Sequence, residues 1–359
     1  MKIRIGQVLM GLLVLIQTSF VPINTEPENV LGTGKQPDIC VDKNGAIKLT
    51  YGAGNQIYYT TSVDGGVTFS DPTVVGTLTK LSLGMGCGPQ VAATQDYTFI
   101  TAVNTKGNIF TYALGNKKDA VWRKPVPVND ADTVAKEGFV AVAAGAHNNA
   151  YAVWLDMRAD NQNKIYGARS RDGGRTWQKN QLIYRSPDTT VCQCCKPNII
   201  ADAKGNVHVQ FRNWLLGNRD LHLISSADHG QTFGPAQKLG RGSWPLKGCP
   251  MDGGDLAADA AGSVTTVWRR ESNIFLAPPG KPEIKLGAGK TPTIVQAAQG
   301  PAVVWQHEGN LVFLAPNAAE ITDLGKGAFP KLALLPDGLQ AVCAYERDGQ
   351  IVTKVVALK

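Results

Sequence analysis

The sequence predicts an all-β protein made of repeated four-stranded units, arranged as a propeller or a solenoid. Three octets share the pattern S-x-D-x-G-x-T-aromatic: SVDGGVTF from Ser62, SRDGGRTW from Ser170 and SADHGQTF from Ser226. A degenerate copy, GNKKDAVW from Gly115, makes the four starts 53, 55 and 56 residues apart. Self-similarity at a fixed period of this length is typical of such repeated architectures.

Each octet carries the residues of a tight hairpin and follows a strand-like run such as QIYYTT, KIYGAR or DLHLIS. The aspartate carboxylate accepts backbone N–H groups within the turn, and glycine adopts a positive φ. The aromatic ring that ends the octet then packs beneath the turn. One hairpin of this kind is therefore expected in each complete repeat.

These octets resemble the Asp boxes (BNR repeats) of sialidase-like β-propellers, and the resemblance covers essentially the whole chain after its first segment. It implies a single propeller domain over residues 28–359. Asp boxes are structural and also occur in propellers without sialidase activity, so the resemblance predicts the fold and not the reaction.

The number of blades follows from the opening strand of each repeat. Seven candidates are present: PDICVD at 37, PQVAAT at 89, GFVAVAAG at 138, PNIIADA at 197, GDLAADA at 254, PTIVQA at 292 and PKLALL at 330. We favour seven blades, with six, the number in true sialidases, as the alternative. The last repeat lacks a fourth strand, whereas NVLGTGKQPDI near residue 29 matches IKLGAGKTPTI at 284 and TDLGKGAFPKL at 322. The N-terminal strand is therefore expected to close the ring.

Residues 1–22 have the pattern of an export signal. Lys2 and Arg4 precede an apolar stretch over residues 8–16 that is too short for an ordinary membrane span. An uncleaved membrane anchor is the alternative. Cleavage predicts an extracytoplasmic protein, periplasmic or secreted, without a stable membrane span. Its seven cysteines would then meet an oxidising environment in which cysteines usually pair.

The charge balance is mildly basic. Removal of Lys2 and Arg4 lowers the formal net charge from +7 by two, to +5, and no dense basic run or nucleic-acid motif is present. We expect no nucleic-acid partner, no nucleotide cofactor and a monomer. A small molecule, a metal or an acidic glycan suits this balance as a ligand.

Polar residues recur where the second strand of each unit ends. In a propeller of this type these ends lie on the face where the innermost strands begin, around the axial mouth. Arginine at four of five such ends suggests a clamp for a carboxylate or sulfate. The candidate catalytic residues are Asp156, Arg158, Arg212, Asp252, Asp255, Arg269 and Arg347.

Five of the seven cysteines immediately precede innermost strands and are expected at the same mouth. With Met85 and Met251 nearby, they suggest a soft-metal site, because thiolates with thioethers suit Cu(I) and thiolates alone suit Zn. Structural disulfides, including a vicinal Cys194–Cys195 bond, are the alternative. Adjacent cysteines are expected to point to opposite sides, which limits the site to four sulfurs. The predicted metal ligands are Cys87, Cys192, Cys194, Cys195 and Cys249.

The two remaining cysteines, Cys40 and Cys343, fall inside predicted strands. We expect them to be small core residues, with a mutual disulfide across the closing seam as a further option.

The resemblance implies three arginines, a Tyr–Glu pair and an aspartate if the protein is a sialidase. The segment GTGKQPDIC before the first blade offers Lys35 but no arginine. Tyr345 and Glu346 are adjacent in a strand and should point to opposite faces. The catalytic set therefore does not carry over. A metal or redox site is favoured, and a hydrolase or lyase acting on acidic glycans is the alternative, so the sequence leaves enzymatic activity undecided.

Overall fold

The computed structural model describes residues 28–359, and the predicted export signal over residues 1–22 lies outside them. The described chain forms seven four-stranded antiparallel sheets arranged as blades around one axis, which confirms the all-β propeller and the count of seven. Within residues 28–359 there is no helix with the length and apolarity to cross a membrane.

The strands follow the chain from blade to blade. The first and second blades contain β2 (Lys35–Val41), β3 (Ile47–Ala53), β4 (Gln56–Ser62), β5 (Thr73–Thr77), β6 (Gln90–Ala93), β7 (Tyr97–Val103), β8 (Ile109–Gly115) and β9 (Val126–Pro127). The third and fourth contain β10 (Val140–Ala144), β11 (Ala150–Asp156), β12 (Lys164–Ser170), β13 (Gln181–Tyr184), β14 (Asn198–Ala201), β15 (Val207–Arg212), β16 (Leu221–Ser226) and β17 (Gln237–Lys238). The fifth and sixth contain β18 (Asp255–Ala258), β19 (Val264–Arg270), β20 (Asn273–Ala277), β21 (Ile284–Ala288), β22 (Lys290–Ala297), β23 (Gly300–His307), β24 (Asn310–Leu314) and β25 (Thr322–Lys326). The seventh contains β26 (Ala328–Leu334), β27 (Gln340–Arg347), β28 (Gln350–Ala357) and β1 (Glu28–Thr33).

The N-terminal strand closes the ring, as predicted. Strand β1 pairs antiparallel with β28, with Glu28 opposite Lys354 and Thr33 opposite Gln350. The chain then crosses to β2, the innermost strand of the first blade, and the N–H of Gly34 donates to the carbonyl of Gly349 over 3.0 Å. Pairing of the two ends of the chain in one sheet covers an edge that would otherwise be exposed.

The core lies between neighbouring blades. Second strands are buried on both faces because each blade packs against the next, and all seven residues of β11 are buried. Indole rings fill these interfaces, with Trp154 and Trp305 fully buried. The innermost strands of successive blades adjoin one another around the axis, and β26 adjoins β2. The starts of all seven innermost strands therefore meet at one mouth.

The Asp boxes have the predicted geometry, shown here for the first. The carboxylate of Asp64 accepts hydrogen bonds from the hydroxyls of Ser62 at 2.7 Å and Thr68 at 2.6 Å, and from the N–H of Thr68. The N–H of Gly66 donates to the hydroxyl of Ser62 over 2.9 Å, and Gly66 has a φ of 89°. The same contacts recur around Asp172 and Asp228. Each box joins the third strand of a blade to the fourth, on the face opposite the mouth.

Cys40 and Cys343 lie inside strands, as predicted, but they do not form the suggested disulfide. Cys40 packs with residues between the first and second blades, whereas Cys343 packs between the sixth and seventh. Both thiols are free. Each faces away from the interface between the seventh and first blades, so the two sulfurs cannot form a bond.

Candidate functional site

The innermost strands enclose an axial cavity of about 640 Å³. At their starts lies a smaller recess of about 80 Å³, which we call the axial recess. Its lining includes Met85, Cys194, Lys196, Met251 and Asp252. The recess thus brings together polar, cationic and sulfur-bearing side chains from different blades.

Three cysteines beside this recess form a compact group, which we call the cysteine cluster. The Sγ of Cys192 lies 3.7 Å from that of Cys194 and 3.5 Å from that of Cys195. All three sulfurs lie within 4.8 Å of one another, and all three side chains are buried. Three sulfurs at this separation can ligate one ion or can exchange protons and electrons among themselves.

The loop before β14 brings the three sulfurs together. The N–H of Cys192 donates to the carbonyl of Arg212 over 2.9 Å, which fixes this end of the loop against β15. Residues 193–195 then form a turn and not an extended strand. The expectation that Cys194 and Cys195 point to opposite sides is wrong, because strand alternation does not apply within a turn.

Two buried arginines surround the cluster. The Nη1 of Arg219 donates to the sulfur of Cys192 over 3.0 Å, and its guanidinium stacks on the ring of Trp214. Arg212, which is 1% exposed, donates only to main-chain carbonyls, those of Asp252, Arg219 and Arg269. Within residues 28–359 neither guanidinium has a carboxylate within 4.0 Å. Buried cations are ordinarily paired with an anion, and here the neighbouring group that can become one is the thiol of Cys192.

The surroundings shift the pKa values of the three thiols in different directions. Hydrogen bonds from Cys194 and Cys195, aided by the charges of Arg212 and Arg219, hold the pKa of Cys192 well below its usual range. The hydrogen bond to Cys192 raises the pKa of Cys194, and burial raises the pKa of Cys195. Of the three cysteines, Cys192 is therefore the one at which the thiolate form is favoured.

The other two predicted ligands lie apart from this group. Cys87 donates from its sulfur to the carbonyl of Glu137 over 3.4 Å, and burial raises its pKa to about 12. Cys249 is exposed. Among the described residues, only Cys192, Cys194 and Cys195 bring three potential ligand atoms within 4.8 Å. All seven cysteines are free thiols.

Lys196 follows the cluster and faces the axis. Its Nζ donates to the Oδ1 of Asn198 over 2.9 Å. Burial, together with the positive charge of Lys331, lowers its pKa to about 7. Asp38 and Asp255 line the same part of the axial cavity. The mouth therefore contains charges of both signs close to the cysteine cluster.

Two candidate catalytic residues form a structural pair. The carboxylate of Asp156 is fully buried and accepts from the indole N–H of Trp154 and from two guanidinium nitrogens of Arg158. Arg158 also donates to Asp130 of the second blade over 2.8 Å, and to Asn180. These contacts join the second blade to the third, so the pair is committed to packing.

The remaining arginine candidates do not converge on the axis. Arg347 binds the carboxylate of Glu28 on the outermost strand, and Tyr345 also donates to Glu28 over 3.1 Å. Glu346 accepts from Gln36, so the side chains of Tyr345 and Glu346 reach different partners, as strand alternation predicts. Arg269 donates to the carbonyls of Glu271 and Pro250. No shared carboxylate clamp is formed by Arg212, Arg269 and Arg347 in the described chain.

The two mouth aspartates join the fifth blade to the sixth. Asp252 accepts from the N–H of Gly254 over 3.1 Å and from the N–H of Thr291 over 2.7 Å. Asp255 accepts from the hydroxyl of Thr293 over 2.9 Å. Of the candidate catalytic residues, these two line the axial recess or the axial cavity.

Sequence reasoning missed Arg219 and the tryptophans stacked on the arginines. From the sequence, we predict mouth residues only where second strands end and innermost strands begin. Third strands begin on the same face, so GNRDLHL, which leads into β16, places Arg219 there as well. The same strand-order argument, applied to third strands, would have found this residue.

Comparison with known proteins supports the fold and no more. No family model matches the sequence, and no curated protein matches it either. The BP39L lectin from Burkholderia pseudomallei superposes with a TM-score of 0.64 at 11% identity, covering 91% of this chain and 96% of the lectin. An alpha-L-arabinanase from Penicillium chrysogenum superposes with a TM-score of 0.52 at 12% identity, covering 92% and 98%. A protein of unknown function from Dyadobacter fermentans gives 0.51 at 14%, covering 93% and 97%.

These identities show a shared fold alone. The chain has the β-propeller fold that its Asp-box repeats predict, with seven blades and a cysteine cluster near the axis.

Proposed function

We propose that this propeller binds one soft metal ion, copper or zinc, through Cys192, Cys194 and Cys195. The observation that carries the proposal is the placement of three buried sulfurs within 4.8 Å of one another beside buried arginines without a carboxylate partner. Thiolate sulfur is the ligand that these ions prefer. The site would serve metal binding or thiol redox chemistry at the axial mouth.

The positive charges beside the cluster favour a bound metal ion over three neutral thiols. Arg212 and Arg219 place two positive charges beside the cluster, and both act on Cys192. Binding of an ion displaces the protons of Cys194 and Cys195 to solvent and leaves three thiolates. The arginines then offset much of the negative charge that the ligands concentrate in a buried place.

We further propose that residues 1–22 are an export signal and that the protein acts outside the cytoplasm. A bound ion would there protect thiols that otherwise oxidise. Cys192 and Cys195 are close enough to form a disulfide after a small movement, since their sulfurs are 3.5 Å apart. Disulfide formation at the same cluster is therefore the competing outcome in any experiment.

The test is the metal content and thiol titre of protein purified without oxygen. The proposal expects about one copper or zinc ion per chain, a loss of most of it in Cys192→Ser and Cys195→Ser, and retention in Cys249→Ser, whose exposed thiol is the matched control. A native protein without metal and with a Cys192–Cys195 disulfide would overturn the proposal. Loss of metal in the Cys249→Ser control would instead add Cys249 to the ligand set.

The glycan alternative has less support. The lectin neighbour binds sugars by its name, but its identity to this chain is 11%. The arginines that would hold an acidic sugar are engaged with Glu28, Asp156 or main-chain carbonyls. Asp252 and Asp255 stay as the acid/base candidates of this alternative because they line the recess or the axial cavity.

A further inference from the structure

We propose that the thioether of Met251 is a fourth ligand of the cysteine cluster and makes the site selective for Cu(I). This inference rests on the proposed metal binding and names the ion. Met251 packs directly against Cys192, Cys194 and Cys195, and it lines the axial recess together with Cys194.

The backbone holds Met251 in this place. Its φ is 55°, in the left-handed region that non-glycine residues seldom adopt. The next residue, Asp252, accepts from Thr291 through its carboxylate and from the Nε of Arg212 through its carbonyl. The same arginine therefore lies beside the cluster and binds the residue that follows Met251. A strained residue whose surroundings hold it beside a group of potential ligands indicates a functional constraint.

The chemistry of sulfur indicates which ion such a site selects. A thioether is a neutral soft donor, which suits Cu(I), whereas Zn binds to thiolate, imidazole or carboxylate. The charge count points the same way. Three thiolates with Cu(I) carry a charge of −2, which Arg212 and Arg219 neutralise, whereas three thiolates with Zn²⁺ leave the buried group with a net charge of +1. A buried site is most stable when its charges cancel.

The recess provides the route to the cluster. Met85, on the loop before β6, is 61% exposed and lines the same recess as Met251 and Cys194. Its φ is also 55°. An incoming Cu(I) ion would meet the thioether of Met85 first and pass to Met251 and the thiolates. Met85 should therefore affect the rate of loading and not the final affinity.

The experiment measures the affinity of the purified full chain for Cu(I) and Zn(II) separately, by competition with bicinchoninate and with a zinc chelator, without oxygen. Met251→Leu removes the thioether with little change of volume. In this variant we expect the Cu(I) affinity to fall by about tenfold or more, which corresponds to about 1.4 kcal/mol. The Zn(II) affinity should not change. Met85→Leu should slow loading and keep the affinity. Met157→Leu, in a loop of the third blade, is the control. It should match the native protein in both its Cu(I) affinity and its rate of loading.

A second measurement does not depend on the variant folding. In selenomethionine-labelled protein loaded with Cu(I), X-ray absorption at the selenium edge should show a copper neighbour. Repeating it in Met85→Leu, which keeps Met251, should preserve that signal. Native protein that binds neither ion contradicts the proposed function itself. Native protein that binds Cu(I) without a copper–selenium contact, or that loses no Cu(I) affinity in Met251→Leu, overturns this inference alone.

Discussion

The guanidinium of Arg219 donates to the sulfur of Cys192 over 3.0 Å, and both side chains are buried. This contact joins the start of the third strand of the fourth blade to the loop that precedes the first strand of the same blade. A guanidinium in contact with sulfur favours the thiolate over the thiol. The contact therefore favours negative charge on Cys192 before any ion binds.

Replacement of Arg219 should therefore weaken the cluster. In Arg219→Gln we expect the metal-free protein to lose part of the ultraviolet absorbance of its thiolate at neutral pH, because removal of this positive charge raises the pKa of Cys192. The ion should also be retained less well, by about tenfold or more in competition with a chelator. Arg171→Gln, at an exposed arginine, is the matched control. Equal thiolate absorbance in both variants would show that Arg219 does not set the charge of Cys192.

The depressed pKa of Cys192 also makes the stability of metal-free protein depend on pH. An unfolded cysteine has a pKa of about 8.5, so the thiolate contributes its full stabilisation above that pH. The contribution is lost as the pH falls through the lower folded pKa. Chemical denaturation of native protein and Cys192→Ser across this range should show their difference shrink towards acid pH. A difference that stays constant with pH would contradict the thiolate assignment.

Removal of the closing strand should destabilise the whole ring. Deletion of residues 28–36 uncovers the edge of β28 and removes the ion pair of Arg347 with Glu28, which is 2.5 Å long. Each hydrogen bond lost between β1 and β28 contributes about 1 kcal/mol, so we expect the midpoint of urea unfolding to fall markedly. The truncated protein should also tend to associate through the exposed edge of β28. Deletion of Lys359 is the control. Equal midpoints for the two truncations would show that β1 contributes little.

The Asp boxes should stabilise the fold through an ionised carboxylate. Burial opposes ionisation of Asp172, but hydrogen bonds from Thr176 and Ser170 outweigh it and lower its pKa. Asp172→Ala should lower the melting temperature by about a few degrees at neutral pH. The stabilisation is present above the unfolded pKa of about 3.9 and is lost as the pH falls through the folded pKa. Calorimetry of this variant beside Asp71→Ala, at an exposed aspartate, checks both the size and the pH dependence.

The protein should not release sialic acid from a fluorogenic sialoside. The segment before the first blade has no arginine, and the arginines of the later blades are engaged elsewhere. Arg212→Ala should lower thermal stability, since a cation that binds three carbonyls is lost, and should leave the absence of turnover unchanged. Efficient turnover by native protein that Arg212→Ala or Arg347→Ala abolishes would refute this prediction.

The sequence by itself determined the architecture. A hairpin pattern that recurs every 53 to 56 residues reflects the local chemistry of a turn and gives the period of the repeat. The seven opening strands give the number of blades. The match between NVLGTGKQPDI and two later segments was enough to predict closure of the ring by β1. These features depend on neighbours in the chain, which is why they can be read without coordinates.

The tertiary structure decided which side chains are free to act. Arg158, Arg212 and Arg347 all follow or end second strands, yet contacts with other strands or blades occupy each of them. Cys192, Cys194 and Cys195 meet because their turn breaks the alternation that separates neighbouring residues in a strand, whereas Cys87 and Cys249 stay outside the group. The contacts of Arg219 and Met251 with the cluster join segments 27 or more residues apart or lie across blades. Such contacts depend on which strands and loops the fold brings together, so the spacing of residues within one segment of the sequence does not reveal them.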